Sequence, residues 1–193
     1  ALDVQNGKIT ACKYIKQATA RYLKWFERDD LEFRSEKVVR VVNFISKLRH
    51  YKGKDNKKPF KLLPYQLLIV ASIFGFYYKD TEKRVIKYVY CELARKQGKT
   101  ALMAAICLYM LIADYENGSE VYLVANSAKQ AKICFEMSSA FLSSIDPKAK
   151  YFKRYRDSVK FDKTKSFIQV LAADASTNDG YNPYCFCLDE AHE

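Results

Sequence analysis

The chain is short of the residues that break structure. Its 193 residues include only 6 Gly, 4 Pro, 2 His and a single Trp. So little Gly and Pro excludes low-complexity linkers and repeats that cannot pack a core. A long apolar run is missing too. The most apolar window, residues 62–78, is interrupted by Pro64, Gln66 and Gly75 and is too short to span a bilayer, so no membrane partner is expected. No basic–apolar–small signal pattern opens the chain, and the missing initiator Met suggests a trimmed piece. Acids are the scarcer charge, with 22 Asp and Glu against 33 Lys and Arg, a net charge of +11.

What is present fits a packed domain. Hydrophobic residues make up 49% of the chain and aromatics 15%, enough for a core at this length with a small helical appendage. The basic excess points to a polyanionic partner, with nucleic acid the leading candidate. It gathers at Lys52, Lys54, Lys57, Lys58 and Lys61, and again at Lys148, Lys150, Lys153, Arg154 and Arg156. The second cluster is the preferred DNA contact. Six cysteines do not form a zinc-ligand register with His50 or His192. They read as small hydrophobes buried on strands and helix faces in a reducing compartment.

Periodicity predicts helices over 8–29 and 35–51. In the second, Val38, Val41, Val42, Ile45 and Leu48 form one apolar stripe behind a Ser35 cap. A basic loop over 52–61 leads to a helix from Pro64 to about Tyr78, with proline in the first turn. Val85 to Ala94 is β-branched and aromatic and reads as a buried strand. A helix over 99–115, a strand over 120–125 and a helix from a Ser127 cap to about Leu142 follow. Strands over 157–161 and 167–172, a polar loop over 174–183 and a strand over 184–188 complete the pattern. Strands alternating with helices predict an α/β sheet with helices on both faces. The expected organisation is a helical segment or lid over 1–60 and a core over 61–193.

Two segments carry chemistry. Cys91-Glu-Leu-Ala-Arg-Lys-Gln-Gly-Lys-Thr100 places Gly98, Lys99 and Thr100 between a predicted strand and an apolar helix. That is the context in which backbone N–H groups and a helix N-terminus grip phosphate. Gly98 permits close approach, Lys99 reaches the β- and γ-phosphates, and Thr100 offers its hydroxyl to Mg²⁺. The general motif has a further Gly where this chain has Leu93. The second segment, Tyr184-Cys-Phe-Cys-Leu-Asp-Glu190, is a strand ending in two acids. Asp189 would hold the Mg²⁺ hydration shell and Glu190 would polarise the attacking water. Arg95 is placed to neutralise charge developing on the γ-phosphate, and Gln66 to read an adenine edge. Lys96 and Gln97 complete the loop. ATP and Mg²⁺ are therefore the expected cofactors.

Phe60-Lys-Leu-Leu-Pro-Tyr-Gln66, Phe74-Gly-Phe76, Ala94-Arg-Lys-Gln-Gly-Lys-Thr100, Ala125-Asn-Ser-Ala-Lys-Gln-Ala131, Gly180-Tyr-Asn-Pro183 and Leu188-Asp-Glu-Ala-His192 occur in this order. In that order the chain resembles the terminase large subunits of tailed bacteriophages, from about residue 8 to its end. The resemblance makes Leu93 and Arg95 points of agreement. It implies a P-loop NTPase fold of the additional-strand, catalytic-glutamate class, mostly parallel, with an N-terminal helical segment. Gln66 then belongs to the adenine motif, Arg95 to Thr100 to the Walker A loop, and Asp189 and Glu190 to Walker B.

It also implies an ATPase motor that drives double-stranded DNA into a procapsid in the host cytoplasm. The motor would work as a homo-oligomeric ring on the portal protein, with a small terminase subunit delivering DNA. The coupling motif and nuclease carboxylates would lie beyond residue 193, so this chain is expected to lack nuclease activity and to turn ATP over poorly. Arg154 and Arg156 are candidate arginine fingers. The rival is a DEAH-type superfamily-two helicase, since Asp189-Glu-Ala-His192 matches that box. The phosphate loop discriminates, because those helicases carry Ala-x-x-Gly-x-Gly-Lys-Thr and Leu93 to Thr100 does not. A binding module with a dead nucleotide fold would not need Lys99, Thr100, Asp189 and Glu190 intact.

Overall fold

The computed structural model describes residues 1–114, 116–125, 127–172 and 180–189, with only the backbone described at 128, 129 and 172. The chain divides into two compact units that interleave in sequence, residues 1–43 with 62–92 and residues 44–61 with 93–193.

The first unit is mainly helical. It holds α1 (Leu2–Gln5), α2 (Lys13–Lys24), a 3₁₀ turn at Trp25–Glu27, β1 (Leu31–Phe33), the start of α3 (Ser35–Lys47), α4 (Pro64–Gly75) and β2 (Phe76–Tyr78). β1 and β2 pair antiparallel, Phe33 opposite Phe76. Around Phe76 stand Tyr22, Trp25, Phe26 and Phe33, each with ring centroids within 5.5 Å of it. Gly75 ends α4 where a Cβ would meet the Phe33 ring at 2.3 Å, so no larger residue fits without moving the ring. Arg34 braces the hairpin. Its guanidinium lies 4.5 Å from the Tyr77 ring centroid and pairs with Glu32 and Glu82.

The second unit is the α/β sheet. Its elements are α5 (Lys99–Ile112), β3 (Glu120–Ala125), α6 (Ala128–Ile145), β4 (Phe152–Arg154), β5 (Ser158–Phe161), β6 (Ser166–Ala172) and β7 (Cys185–Asp189). Strand order is β4-β5-β6-β3-β7. β3 pairs parallel with both β6 and β7, whereas β4, β5 and β6 form an antiparallel extension. The sheet is thus mixed, parallel at the end that carries the predicted site.

Val121, Leu123 and Ala125 are buried on the face toward α5 and α6, which also pack on each other. On α5 the residues Leu102, Ala104, Ala105, Cys107, Leu108 and Leu111 are buried, which is why so apolar a helix forms here. Alternation puts Tyr122 and Val124 on the opposite face, where they cluster with Leu171 and Phe167. Tyr122, Val124, Leu171, Tyr181, Pro183 and Phe186 line an apolar recess of about 300 Å³ there. α5 and α6 therefore pack together on the same face of this sheet. Among the described residues no helix is long and apolar enough to cross a membrane.

Several expected boundaries move. The helix expected over 8–29 begins at Lys13, after Cys12 in an extended conformation, and gives way to a 3₁₀ turn at Trp25. α3 stops at Lys47, because Leu48 and His50 turn their backbones to Phe60, Lys57 and Lys58 and close the basic loop. α4 starts at Pro64 as expected but stops at Gly75, and residues 76–78 pair with β1. Ser127 caps α6, accepting from the Gln130 N–H at 3.2 Å.

The largest correction is Val85 to Ala94, which enters no ladder beyond the Tyr77–Arg84 bridge before it. Tyr88 is 93% exposed and Tyr90 79%. Val85 donates its N–H to the Phe76 carbonyl at 3.0 Å, but side-chain preference alone does not make a strand of the residues that follow it.

Candidate nucleotide site

The turn Arg95–Gly98 and the start of α5 form one side of the site. Gly98 is the N-cap of α5 with φ 73°, a left-handed conformation that costs glycine little, and its carbonyl accepts the Leu102 N–H at 3.0 Å. Lys96 is also left-handed, φ 65°, where a non-glycine residue is uncommon. Lys99 and Thr100 occupy the first turn of α5, so the helix N-terminus and both side chains share one end of the helix. Arg95, Lys96 and Gln97 are exposed on the turn before it.

The other side is the end of β7. Asp189 closes that strand opposite Ala125 and is buried to 8% exposure. Its Oδ1 stands 3.2 Å from Lys99 Nζ. Two residues 90 positions apart thus meet at the carboxyl ends of the parallel strands, the edge where ligands bind in open α/β sheets. An uncompensated carboxylate at this depth would be costly, and the lysine offsets that cost. Cys134 on α6 feels the same carboxylate. Burial and the charge of Asp189 push its thiol up to about 12. Thr100 and Asp189 offer oxygen donors, the ligand chemistry that Mg²⁺ prefers.

Gln66 is buried at 2% exposure, and its Oε1 accepts the Leu63 N–H at 3.0 Å, capping the start of α4. Its carbonyl is therefore committed to the helix. Glu190 and His192 lie outside the described residues.

Lys148 and Lys150 are exposed after α6, but Lys153 pairs with Asp162 at 2.5 Å. That hydrogen bond raises the Lys153 pKa and engages one of the three charges assigned to DNA. Arg154 gives one Nη to Ser143 Oγ at 2.9 Å and the other to the Asp146 carbonyl at 2.8 Å, so it braces the end of α6. The 180–183 segment is anchored at Glu120, whose carboxylate accepts from the Asn182 N–H at 3.0 Å and the Tyr122 hydroxyl at 2.7 Å.

One cluster escaped the sequence reading. Cys107 on α5 packs against Cys185 and Cys187 on β7. Contacts with those two thiols, and then burial, hold the Cys107 thiol well above its usual range. The alternation Cys-x-Cys on a strand and a Cys on the buried stripe of the helix that follows the phosphate loop were the available signals. Cys12 is exposed, against the expectation that all six would be buried.

A helix opened by Gly-Lys-Thr beside a parallel strand that ends in Asp defines a P-loop nucleotide-binding fold. The chain belongs to the terminase large subunit family, since residues 64–193 match the family described as "Terminase large subunit, ATPase domain". Terminase large subunits of Lactococcus phages p2 and SK1 are each 23% identical over 196 residues, covering 97% of this chain. The chain spans 36% of the length of those relatives. The crystal structure of the HK97 bacteriophage large terminase superposes with a TM-score of 0.65 at 22% identity, over 79% of this chain and 30% of that one, and supports the fold.

Proposed function

We propose that this chain binds Mg²⁺-ATP as the motor part of a DNA-packaging terminase, with efficient hydrolysis in the full-length protein. The observation that carries the reading is the 3.2 Å contact between Lys99 Nζ and Asp189 Oδ1, which joins the phosphate loop to the acid strand. In the nucleotide-free chain each charge satisfies the other. An incoming triphosphate offers Lys99 a stronger partner in its β- and γ-oxygens, and the released Asp189 then faces the metal's hydration shell. Thr100 would supply a hydroxyl to Mg²⁺, whose charge would offset that of the phosphates. Gly98 and the first amides of α5 hold phosphate oxygens, with Lys96 and Gln97 beside them. Arg95, exposed at the loop, is the cation for charge developing on the γ-phosphate. Glu190 follows Asp189 directly in sequence and is assigned as the base that orients water. Gln66 contributes to adenine recognition through its amide nitrogen, because its oxygen caps α4.

The wider assignment rests on family membership. It comprises double-stranded DNA as the track, a small terminase subunit and portal protein as partners, a homo-oligomeric ring, and the host cytoplasm as the place of work. DNA is held by phosphate contacts from Lys148 and Lys150, with Lys153 joining once it leaves Asp162. The ATPase core is assigned to residues 61–193, which contain the matched family region, and a helicase role is not favoured by the family match.

The reading is tested by isothermal calorimetry of Mg²⁺-ATP on the wild type and Lys99→Ala. Loss of the charge-assisted contact should weaken binding by about 2–3 kcal/mol. Equal affinities would remove the phosphate-loop assignment. In the same assay Asp189→Asn should make binding less dependent on Mg²⁺, while Glu190→Gln should leave binding intact and abolish turnover in the full-length protein.

A further inference from the structure

Three cysteines, one on α5 and two on β7, converge below the Lys99–Asp189 pair. β7 alternates its side chains, so Cys185 and Cys187 share the face that α5 covers, and α5 presents the buried Cys107 to them. Cys107 Sγ lies 3.1 Å from Cys187 Sγ, Cys187 Sγ lies 3.9 Å from Cys185 Sγ, and all three sulfurs fall within 4.8 Å of one another. Three thiolates bound to one tetrahedral ion at about 2.3 Å would stand about 3.8 Å apart. The observed separations bracket that figure, so the ion needs only small side-chain adjustments to enter.

We propose that Cys107, Cys185 and Cys187 form a three-thiolate site for a soft closed-shell cation, with Zn(II) and one water as its resident form. Thiolate sulfur selects Zn(II) and Cu(I) over the hard ions that oxygen donors take, so the site is chemically separate from the Mg²⁺ position at Thr100 and Asp189. Three thiolates leave a net charge of −1 with Zn(II) and −2 with Cu(I), and the smaller charge costs less to hold in a half-buried position. Cys185 and Cys187 are only partly buried, which leaves an approach for the ion and for the water that completes four-coordination. The three thiols release their protons to solvent as the metal–sulfur bonds form. The ion would tie the phosphate-loop helix to the acid strand, two residues before Asp189 and eight after Lys99.

The test is metal retention by the 193-residue chain in a phosphine reductant, with Zn(II), Cd(II) and Cu(I) offered separately against a competing chelator. One Zn(II) per chain is expected, with a sulfur-to-metal charge-transfer band for Cd(II). Cys187→Ala and Cys185→Ala should each weaken retention at least about a hundredfold, more than loss of an outer-shell partner does, while Cys12→Ala should leave it unchanged. Since Cys107→Ala changes the core, iodoacetamide mapping of the wild type gives an independent reading. Bound metal should protect Cys185 and Cys187 while Cys12 still reacts. Retention of Cu(I) but not Zn(II) with the same cysteine dependence would support the thiolate site and replace its resident ion. Failure to retain any of the three ions, or retention that survives Cys187→Ala, would overturn the proposal.

Discussion

Two segments of this chain have nearly the same strand-forming composition and opposite fates. Residues 185–189, Cys-Phe-Cys-Leu-Asp, form β7 and pair parallel with β3 from Val121↔Cys185 to Ala125↔Asp189. Residues 85–90, Val-Ile-Lys-Tyr-Val-Tyr, are at least as β-prone, yet residues 87–90 are all exposed and enter no ladder. Composition does not separate them. β7 found an unoccupied side of a central strand, and its inner residues gained a helix to pack on. The contrast matters for the site, because one of its halves arrives on a paired strand and the other on a turn behind a segment that enters no ladder.

The strongest way to break the comparison is to remove what holds β7. Leu123 is 1% exposed on β3, on the face that α5 and α6 cover, and both β6 and β7 pair with its strand. Leu123→Ala should cost about 2–5 kcal/mol, read as a lower urea midpoint with unchanged slope. A cost near zero would mean that the parallel part of the sheet is not where stability resides.

The same contrast shows what a single chain lets a reader see. Gly98, Lys99, Thr100 and Asp189 were legible because each signal is local: a glycine before an apolar helix, and an acid after an apolar strand. The α/β alternation from residue 99 onward was legible for the same reason, since helices and strands there are long enough to show their period. β1, β2 and β4 were not, because each has three residues and exists only through a distant partner. The helix-capping bond of Gln66 to Leu63 was not legible, because it leaves no mark beyond its place three residues on. The cysteine cluster needed a contact across 80 residues, which spacing alone cannot supply.

An intermediate case sharpens the comparison. β4 has three residues and pairs only with β5, but a local tie sets its start. The Asp146 carboxylate accepts from the N–H groups of Lys150, Tyr151 and Phe152 at 2.9–3.1 Å. Burial would raise its pKa, and those three bonds together outweigh burial and hold it below the usual value. Its contribution is therefore present above the ordinary Asp pKa of about 4 and lost as pH falls through the lower folded value. Asp146→Asn should destabilise the chain at neutral pH by less than Leu123→Ala does, and the gap from wild type should close in acid. Thermal melts across that range check this, and a gap that stays constant with pH would assign the loss to packing.

The smallest effect is expected in the unpaired segment. Tyr88 and Tyr90 are 93% and 79% exposed, so truncating either removes little buried area. Tyr88→Ala and Tyr90→Ala should each change stability by no more than about 0.5 kcal/mol, the range of surface substitutions that touch no cap, charge or core. Backbone amides of residues 86–90 should also exchange far faster than those of 121–125, because they lack ladder partners. Slow exchange there, or a loss above about 1 kcal/mol at either tyrosine, would show that the segment is held as firmly as β7. In that event the difference between the two halves of the site would disappear.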